Sequence, residues 1–289
     1  MLPPSGWEFF CNRSLGEGII RKNGVRRGCT PPADTIFSSS YPLQVGELNG
    51  YVFFIFCPVY YLQTEPDLKL SAAQFAALEE FAKLLLVWNQ RFNLTAVRTV
   101  EEVWVRHFLD SFTCLRAMRG TTMARVVDVG TGAGFPGLVL KIAQPEMQLT
   151  LVESTGKKAV FCAEVVRQLG LENVDIQTAR AEELGQKPEH REQYDWALAR
   201  AVAPMPVLVE YLLPLVRVGG YMLAQKGKDG DQETKQAENA ITTLGGEPDR
   251  VLPVSLPGVD DRTLIVVAKT RGTPARYPRR VGIPSKRPL

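Results

Sequence analysis

One segment limits the fold more than any other. Arg125-Val-Val-Asp-Val129 has the continuous apolar character of a buried strand. It runs without a linker into Gly130-Thr-Gly132-Ala-Gly134-Phe135-Pro136-Gly137. A strand that ends in a glycine-rich loop and restarts as a helix opens a βαβ unit. The chain then repeats the alternation. Leu149–Val152, Val174–Gln177, Trp196–Ala199 and Tyr221–Ala224 read as strands, the last of them after a Gly219-Gly220 turn. Helices are expected over 136–144, 155–169, through Leu208–Leu215 and over 231–244, with two further strands near 251–255 and 263–268. Such alternation forms right-handed crossovers and a mostly parallel sheet. The expected architecture is a doubly wound α/β core with seven strands, spanning 121–269.

Upstream, Ser71-Ala-Ala-Gln74 has capping-box form, and Phe75, Leu78, Phe81, Ala82, Leu85 and Trp88 recur at spacings of three and four. That pattern predicts an amphipathic helix of about five turns. A second helix is predicted over 100–118, where Arg106 and Asp110 stand at i, i+4 and are expected to pair. Residues 67–120 are thus expected to form an N-terminal helical cap. Residues 1–66 show no steady period and are broken by glycine and proline, which predicts a poorly ordered extension or a mis-assigned start. Their most apolar run, Tyr51–Leu62, has 12 residues, short of the roughly 20 that cross a bilayer. The net charge of +3 is uneven: residues 269–289 hold seven basic groups and no acid, while residues 67–268 carry −4. A basic tail over 270–289 suits nucleic acid or a plain solvated end. The five cysteines form no C-x-x-C pair, which argues against a disulfide framework or zinc site and fits a reducing cytoplasm.

Glycines at a strand's carboxyl end let the backbone approach a ligand closely. A dinucleotide fingerprint would need a small residue where Phe135 stands. The spacing here is instead G-x-G-x-G over Gly130, Gly132 and Gly134, with Asp128 two residues ahead. That pattern resembles motif I of the class I methyltransferases, which bind S-adenosylmethionine. Glu153 ends the next strand, 23 residues after Gly130, where an acid accepts the ribose hydroxyls of either cofactor. A plain tight turn with an exposed glutamate is the third alternative, and the loop alone leaves all three open.

In a methyltransferase fold the other strand ends acquire roles. Arg180-Ala181-Glu182-Glu183 follows the third strand, beside the adenine, and is equally an acid-rich helix start. Arg200, in Ala199-Arg200-Ala201, follows the fourth strand and faces the transferable methyl. Its fixed fork of donors suits a phosphate, a base edge or an ion pair. The fourth strand lacks an N-P-P-Y type sequence, which argues against an exocyclic amino target. Lys226, in Gln225-Lys226-Gly227, is expected to reach a phosphate or to stand solvated. His107 is expected to be a partly buried helix residue. Neither a Ser-His-Asp arrangement nor a metal-ligand spacing is evident.

Several motifs occur together and in order: Asn93-Leu-Thr-Ala-Val-Arg98, Arg106-His-Phe-Leu-Asp-Ser111, Asp128-Val-Gly-Thr-Gly-Ala-Gly-Phe-Pro-Gly137, Ala199-Arg-Ala201, Lys226-Gly227 and the basic ending Tyr277–Leu289. Over residues 68–289 the chain resembles the bacterial 16S rRNA guanine-N7 methyltransferases, a family also called glucose-inhibited division protein B. The resemblance implies S-adenosylmethionine as cofactor and 16S rRNA of the small ribosomal subunit as partner, with methylation at guanine 527. It also implies a cytoplasmic monomer with no metal and no membrane partner. The implied cofactor contacts are Gly130, Phe135, Glu153, Ser154, Thr155, Ala181, Glu182 and Arg200. The implied RNA-facing residues are Arg98, Arg106, His107, Arg180, Arg200 and Lys226, with Arg279 and Arg280 in the tail. Arg200, Lys226 and Arg180 are the catalytic candidates. Guanine N7 carries an available lone pair, so no general base is required and positioning does most of the work. The base is expected to leave its stack to reach the pocket. The alternatives are a class I methyltransferase for another RNA base or a small molecule, and a cofactor-binding RNA-interaction protein without turnover.

Overall fold

The computed structural model describes residues 45–48, 51–54, 68–256 and 259–289. Strands β1 (Val45–Leu48) and β2 (Tyr51–Phe54) pair as an antiparallel hairpin in a unit of their own. The rest of the 1–66 extension lies outside the described residues. The second unit holds the remaining elements.

Helix α1 (Ala72–Phe92) starts where the sequence places it. Gln74 N donates to Ser71 Oγ at 3.2 Å, and Ser71 N donates to Gln74 Oε1 at 2.8 Å. Gln74 also donates through Nε2 to the carbonyls of Ile142 and Ala143, satisfying the end of another helix. Leu78, Phe81, Ala82 and Leu85 form the buried stripe of α1. A helical run over 100–118, α2, follows. Thr99 and Glu102 cap it reciprocally, a second capping box. Within α2, Trp104–Leu109 is a π-helical turn. The wider turn shifts the register that an α-helix would keep. Arg106 is therefore exposed while Asp110 is buried, and the expected Arg106–Asp110 pair does not form. Asp110 pairs with Arg200 instead.

The sheet contains β3 (Arg125–Val129), β4 (Gln148–Val152), β5 (Val174–Gln177), β6 (Tyr194–Arg200), β7 (Val216–Lys226), β8 (Gly246–Leu256) and β9 (Val259–Lys269). Their order is β5-β4-β3-β6-β7-β9-β8. The first five are parallel, and β9 runs antiparallel between β7 and β8. This is the seven-stranded, mostly parallel, doubly wound sheet that the alternation of strands and helices predicts. Side chains alternate across it. Val126, Leu149, Trp196, Leu198 and Leu223 face α1, α2, α3 (Gly137–Ala143) and α4 (Gly156–Gln168). Val127, Val129, Ala197, Ala199 and Met222 face α5 (Ala181–Leu184), α6 (Met205–Leu212) and α8 (Glu238–Thr243), with α7 (Gly230–Gln236) packed on α6. Two boundaries differ from the sequence pattern. The predicted helix over 231–244 breaks at Ala237 into α7 and α8. Gly219-Gly220 lies inside β7 rather than before it, with Gly219 at φ +80°. No helix among the described residues is long and apolar enough to cross a membrane.

The segment after β9 is strapped to the core. Arg191 donates to the carbonyls of Gly185, Thr273 and Tyr277, and Gln186 donates to Pro278 O at 2.6 Å. Arg279 donates through its backbone N, Nε and Nη2 to Glu210 of α6. The Glu210 side chain is fully buried and that of Arg279 is 24% exposed. Gly282 N donates to Glu182, and α9 (Ile283–Lys286) follows. Removing the cation leaves a buried charge alone, which costs about 3–5 kcal/mol in a fully enclosed pair. Because Arg279 is partly exposed, Arg279→Met is expected to cost about 2–4 kcal/mol. Urea unfolding checks this as a lower midpoint at unchanged slope. An unchanged midpoint would show that the pair does not hold the strap.

Candidate active site

The winding reverses between β3 and β6, and in an open α/β sheet that switch point forms the ligand crevice at the strands' carboxyl ends. The glycine loop after β3 enters it under the control of Asp128. Thr131 Oγ1 donates to Asp128 Oδ2 at 2.6 Å, and Gly137 N donates to the same oxygen at 2.9 Å. Asp128 is wholly buried, and burial raises its pKa to about 6 against the opposing effects of these hydrogen bonds and of Arg200. Gly132 N donates to Glu153 Oε2 and Thr155 N to Glu153 Oε1, at 3.0 and 2.7 Å. Two of the glycines are required for different reasons. At Gly130, φ +69°, a Cβ would lie 2.6 Å from Val202 Cγ2, so the loop packs tightly on the turn after β6. At Gly132, φ +61°, a Cβ would meet nothing within 4 Å. That face of the loop is open.

The helical cap and the sheet meet over Phe135. Its ring stacks on Phe81 at 5.2 Å and on His107 at 4.4 Å, and the Arg200 guanidinium lies 5.1 Å from its centre. Arg200 donates to Asp110 Oδ2 at 2.8 Å and lies 3.3 Å from His107 Nδ1. His107 Nε2 lies 2.8 Å from Thr95 Oγ1. Burial, and then the Arg200 charge, lower the His107 pKa to about 3, so the imidazole is neutral at physiological pH. Arg262 of β9 approaches Asp110 Oδ1 at 3.7 Å. Gln225 Nε2 donates to the Asp110 carbonyl at 2.8 Å. The structure thus brings Phe135, His107 and Arg200 into one cluster. Asp110 and Arg262 join it without having been singled out as site residues. Asp110 lay inside a motif, but no spacing in Asp260-Asp261-Arg262 connects β9 to this corner.

Val129, Gly130, Ser154, Ala181, Glu182, Val202 and Tyr211 share one crevice, with Arg180 at its rim. Glu153 and Thr155 stand beside it through the loop hydrogen bonds above. Glu182 accepts from Gly282 of the strap. Arg98 and Arg106 are exposed, and Arg98 Nη1 donates to Thr95 O at 2.6 Å. Lys226 is neither solvated nor free: it pairs with Glu233 at 2.7 Å and donates to Ala203 O at 2.9 Å. Arg279 is bound to Glu210, whereas Arg280 is exposed.

A family model described as GidB, rRNA small subunit methyltransferase G, matches residues 74–264. The Ribosomal RNA small subunit methyltransferase G of Roseiflexus castenholzii is 50% identical over 228 residues, 79% of this chain and 97% of that protein. Its namesake from Desulforamulus reducens is 45% identical over 226 residues, 78% and 94% of the two chains. That from Alkaliphilus metalliredigens is 48% identical over 217 residues, 75% and 91%. The chain belongs to the rRNA small subunit methyltransferase G family. The crevice fits the S-adenosylmethionine that such a methyltransferase uses. Each Glu153 oxygen accepts one N–H and keeps a lone pair for a ribose hydroxyl. Asp128 Oδ1 is buried without a hydrogen-bond partner, a vacancy that suits the ammonium of a methionyl group. Val129, Ala181 and Val202 supply apolar walls.

Two outcomes follow from this loop. Gly132→Val is expected to abolish S-adenosylmethionine binding by calorimetry, because the side chain would enter the open face. Left-handed strain should lower stability by only about 1–3 kcal/mol. Tight residual binding would place the cofactor elsewhere. The raised Asp128 pKa means that the native state holds this proton more tightly than the unfolded chain does. Its contribution to stability is therefore greatest below about 4 and falls as pH rises through about 6, by up to about 3 kcal/mol. Unfolding titrations at pH 4.5 and 6.5 should show this fall in the wild type relative to Asp128→Asn. Parallel pH profiles would show that Asp128 is not held protonated.

Proposed function

We propose that this chain transfers the methyl of S-adenosylmethionine to N7 of a guanine in 16S rRNA, at position 527 of the small-subunit RNA, and that it does so as a monomer. The observation that carries the proposal is the cluster at the end of β6: a fixed arginine above an aromatic ring, at the switch point, with no strong base beside it. When bound, the cofactor supplies a methyl already activated on a sulfonium. The chain has to bring a nucleophile into line with it and exclude water. Arg200, held by Asp110 and stacked on Phe135, presents donors fixed in direction, which suit guanine O6 or a phosphate. His107 is too weakly basic to remove a proton, and N7 has none to remove. Its role is to hold Arg200 and the Phe135 ring.

Attraction for a polyanion has to come from local clusters, because residues 67–268 carry −4. Arg98 and Arg106 on the cap, Arg180 at the rim of the crevice and Arg280 on the strap are exposed and serve as phosphate contacts. The guanine enters unstacked.

The test is single-turnover transfer from labelled S-adenosylmethionine to small-subunit particles from a strain lacking this gene, with the product nucleotide mapped by mass. Modification of a different base, or of no RNA, would overturn the proposal. Arg200→Ala is expected to lower the saturated rate by at least about a hundredfold, the loss typical of a fixed electrostatic donor. An effect confined to RNA affinity would remove Arg200 from the reacting centre.

A further inference from the structure

We infer that Lys226 is a positioning residue. Clamped by Glu233, it holds the turn after β6 so that Arg200 and Val202 keep their places against the cofactor loop. This rests on the crevice being the S-adenosylmethionine site.

The turn needs holding. Ala201 has φ +56°, a left-handed conformation that strains a residue with a Cβ where glycine would be unstrained. On one side of it stands Arg200 with its contacts to Asp110 and Phe135. On the other stands Val202, whose methyl abuts Gly130 and lines the crevice. Ala203 follows, and its carbonyl accepts the Lys226 ammonium at 2.9 Å.

The lysine is placed for this by strand geometry. Gln225 and Lys226 end β7 beside Arg200, with Gln225 paired directly with it in register. Neighbouring residues in a strand point to opposite faces. Gln225 turns to the cap and donates to Asp110 O. Lys226 turns the other way, to Ala203 O and to Glu233 of α7. One face of the strand end is thus tied to the cap residue that holds Arg200, and the other to the turn that follows it. The Lys226 side chain is only 12% exposed and its ion pair measures 2.7 Å. A lysine poised for a phosphate would have its ammonium in water; this one is already occupied by a carboxylate and a carbonyl.

The experiment compares Lys226→Met, Lys226→Arg and Glu233→Gln with the wild type. Four quantities are measured: S-adenosylmethionine affinity by calorimetry, the saturated single-turnover rate, the salt dependence of RNA binding, and amide hydrogen exchange at residues 201–203 without cofactor. Lys226→Met is expected to weaken cofactor binding and lower the saturated rate, each by roughly tenfold, the effect of leaving a half-buried carbonyl without its donor. Exchange in the turn should rise several-fold, and the log–log salt slope should stay at the wild-type value. Lys226→Arg should restore most of both losses, and Glu233→Gln should act in the same direction but less. The inference is overturned if Lys226→Met keeps wild-type cofactor affinity and loses about one unit of salt slope, the mark of a phosphate contact. It is equally overturned if Glu233→Gln tightens RNA binding. Should Lys226→Met fail to fold, the arginine and glutamine variants decide. The affinity and exchange measurements need no RNA, so a wild type that binds cofactor without methylating 16S rRNA refutes the proposed substrate and leaves this test standing.

Discussion

A carboxylate withdrawn from water needs a cation and hydrogen bonds beside it, and the geometry of its neutralisation is then fixed. Asp110 is 2% exposed, and its cations come from the sheet: Arg200 at 2.8 Å and Arg262 at 3.7 Å. The acid belongs to the helical run and the bases to β6 and β9, so the ion pair binds cap to sheet at the switch point. The cap is therefore part of the site rather than an addition to it. Phe81 of α1 and His107 of α2 are the surfaces on which Phe135 of the glycine loop rests. Loss of that packing would release the loop and the arginine together.

Much of this was legible in the sequence wherever the signal was local and periodic. The strand, glycine loop and helix around Asp128 are of that kind, as are the capping box at Ser71 and the alternation that builds the sheet. The order β5-β4-β3-β6-β7-β9-β8 follows the doubly wound pattern that such alternation implies. What the sequence hid was non-local or broke a local rule. Arg106 and Asp110 have the spacing of an α-helical pair, and the π-helical turn between them sends one outward and the other inward. Arg262 comes to Asp110 only because β9 inserts between β7 and β8. Lys226 looked like a solvated or phosphate-seeking lysine, because nothing in its neighbourhood announces that Glu233 returns on the next helix to meet it.

The charge distribution reads differently once the C-terminal segment is placed. Seven basic groups and no acid over 269–289 have the composition of a free tail. Two of them are internal. Lys269 is buried against Leu213 O, Thr273 and Glu192, with burial lowering its pKa to about 8. Arg279 neutralises the buried Glu210. A sum over sequence counts such groups as available for a polyanion, whereas their charges are already matched inside the fold. The exposed members, Arg271, Arg276, Arg280, Lys286 and Arg287, ride on a strap that the internal pair keeps in register. Gly282 of that strap is bonded to Glu182 at the crevice. The basic surface and the crevice are thus joined through Glu182.

The strain at Ala201 has a place in the same logic. Local preferences are generally obeyed in this chain, and glycine occupies most positions of the core where φ is positive. A left-handed alanine next to Arg200 departs from that rule, and such departures persist only where the surroundings over-determine the conformation. Here they do, through Asp110 and Phe135 on one flank and Gly130 and Lys226 on the other. Glycine would remove the strain and would also let the turn adopt many conformations in the unfolded and native chain alike. A reaction that needs no proton moved and no covalent intermediate gains its rate from geometry held before the substrate arrives. A residue that resists movement is then worth more than one that relieves strain.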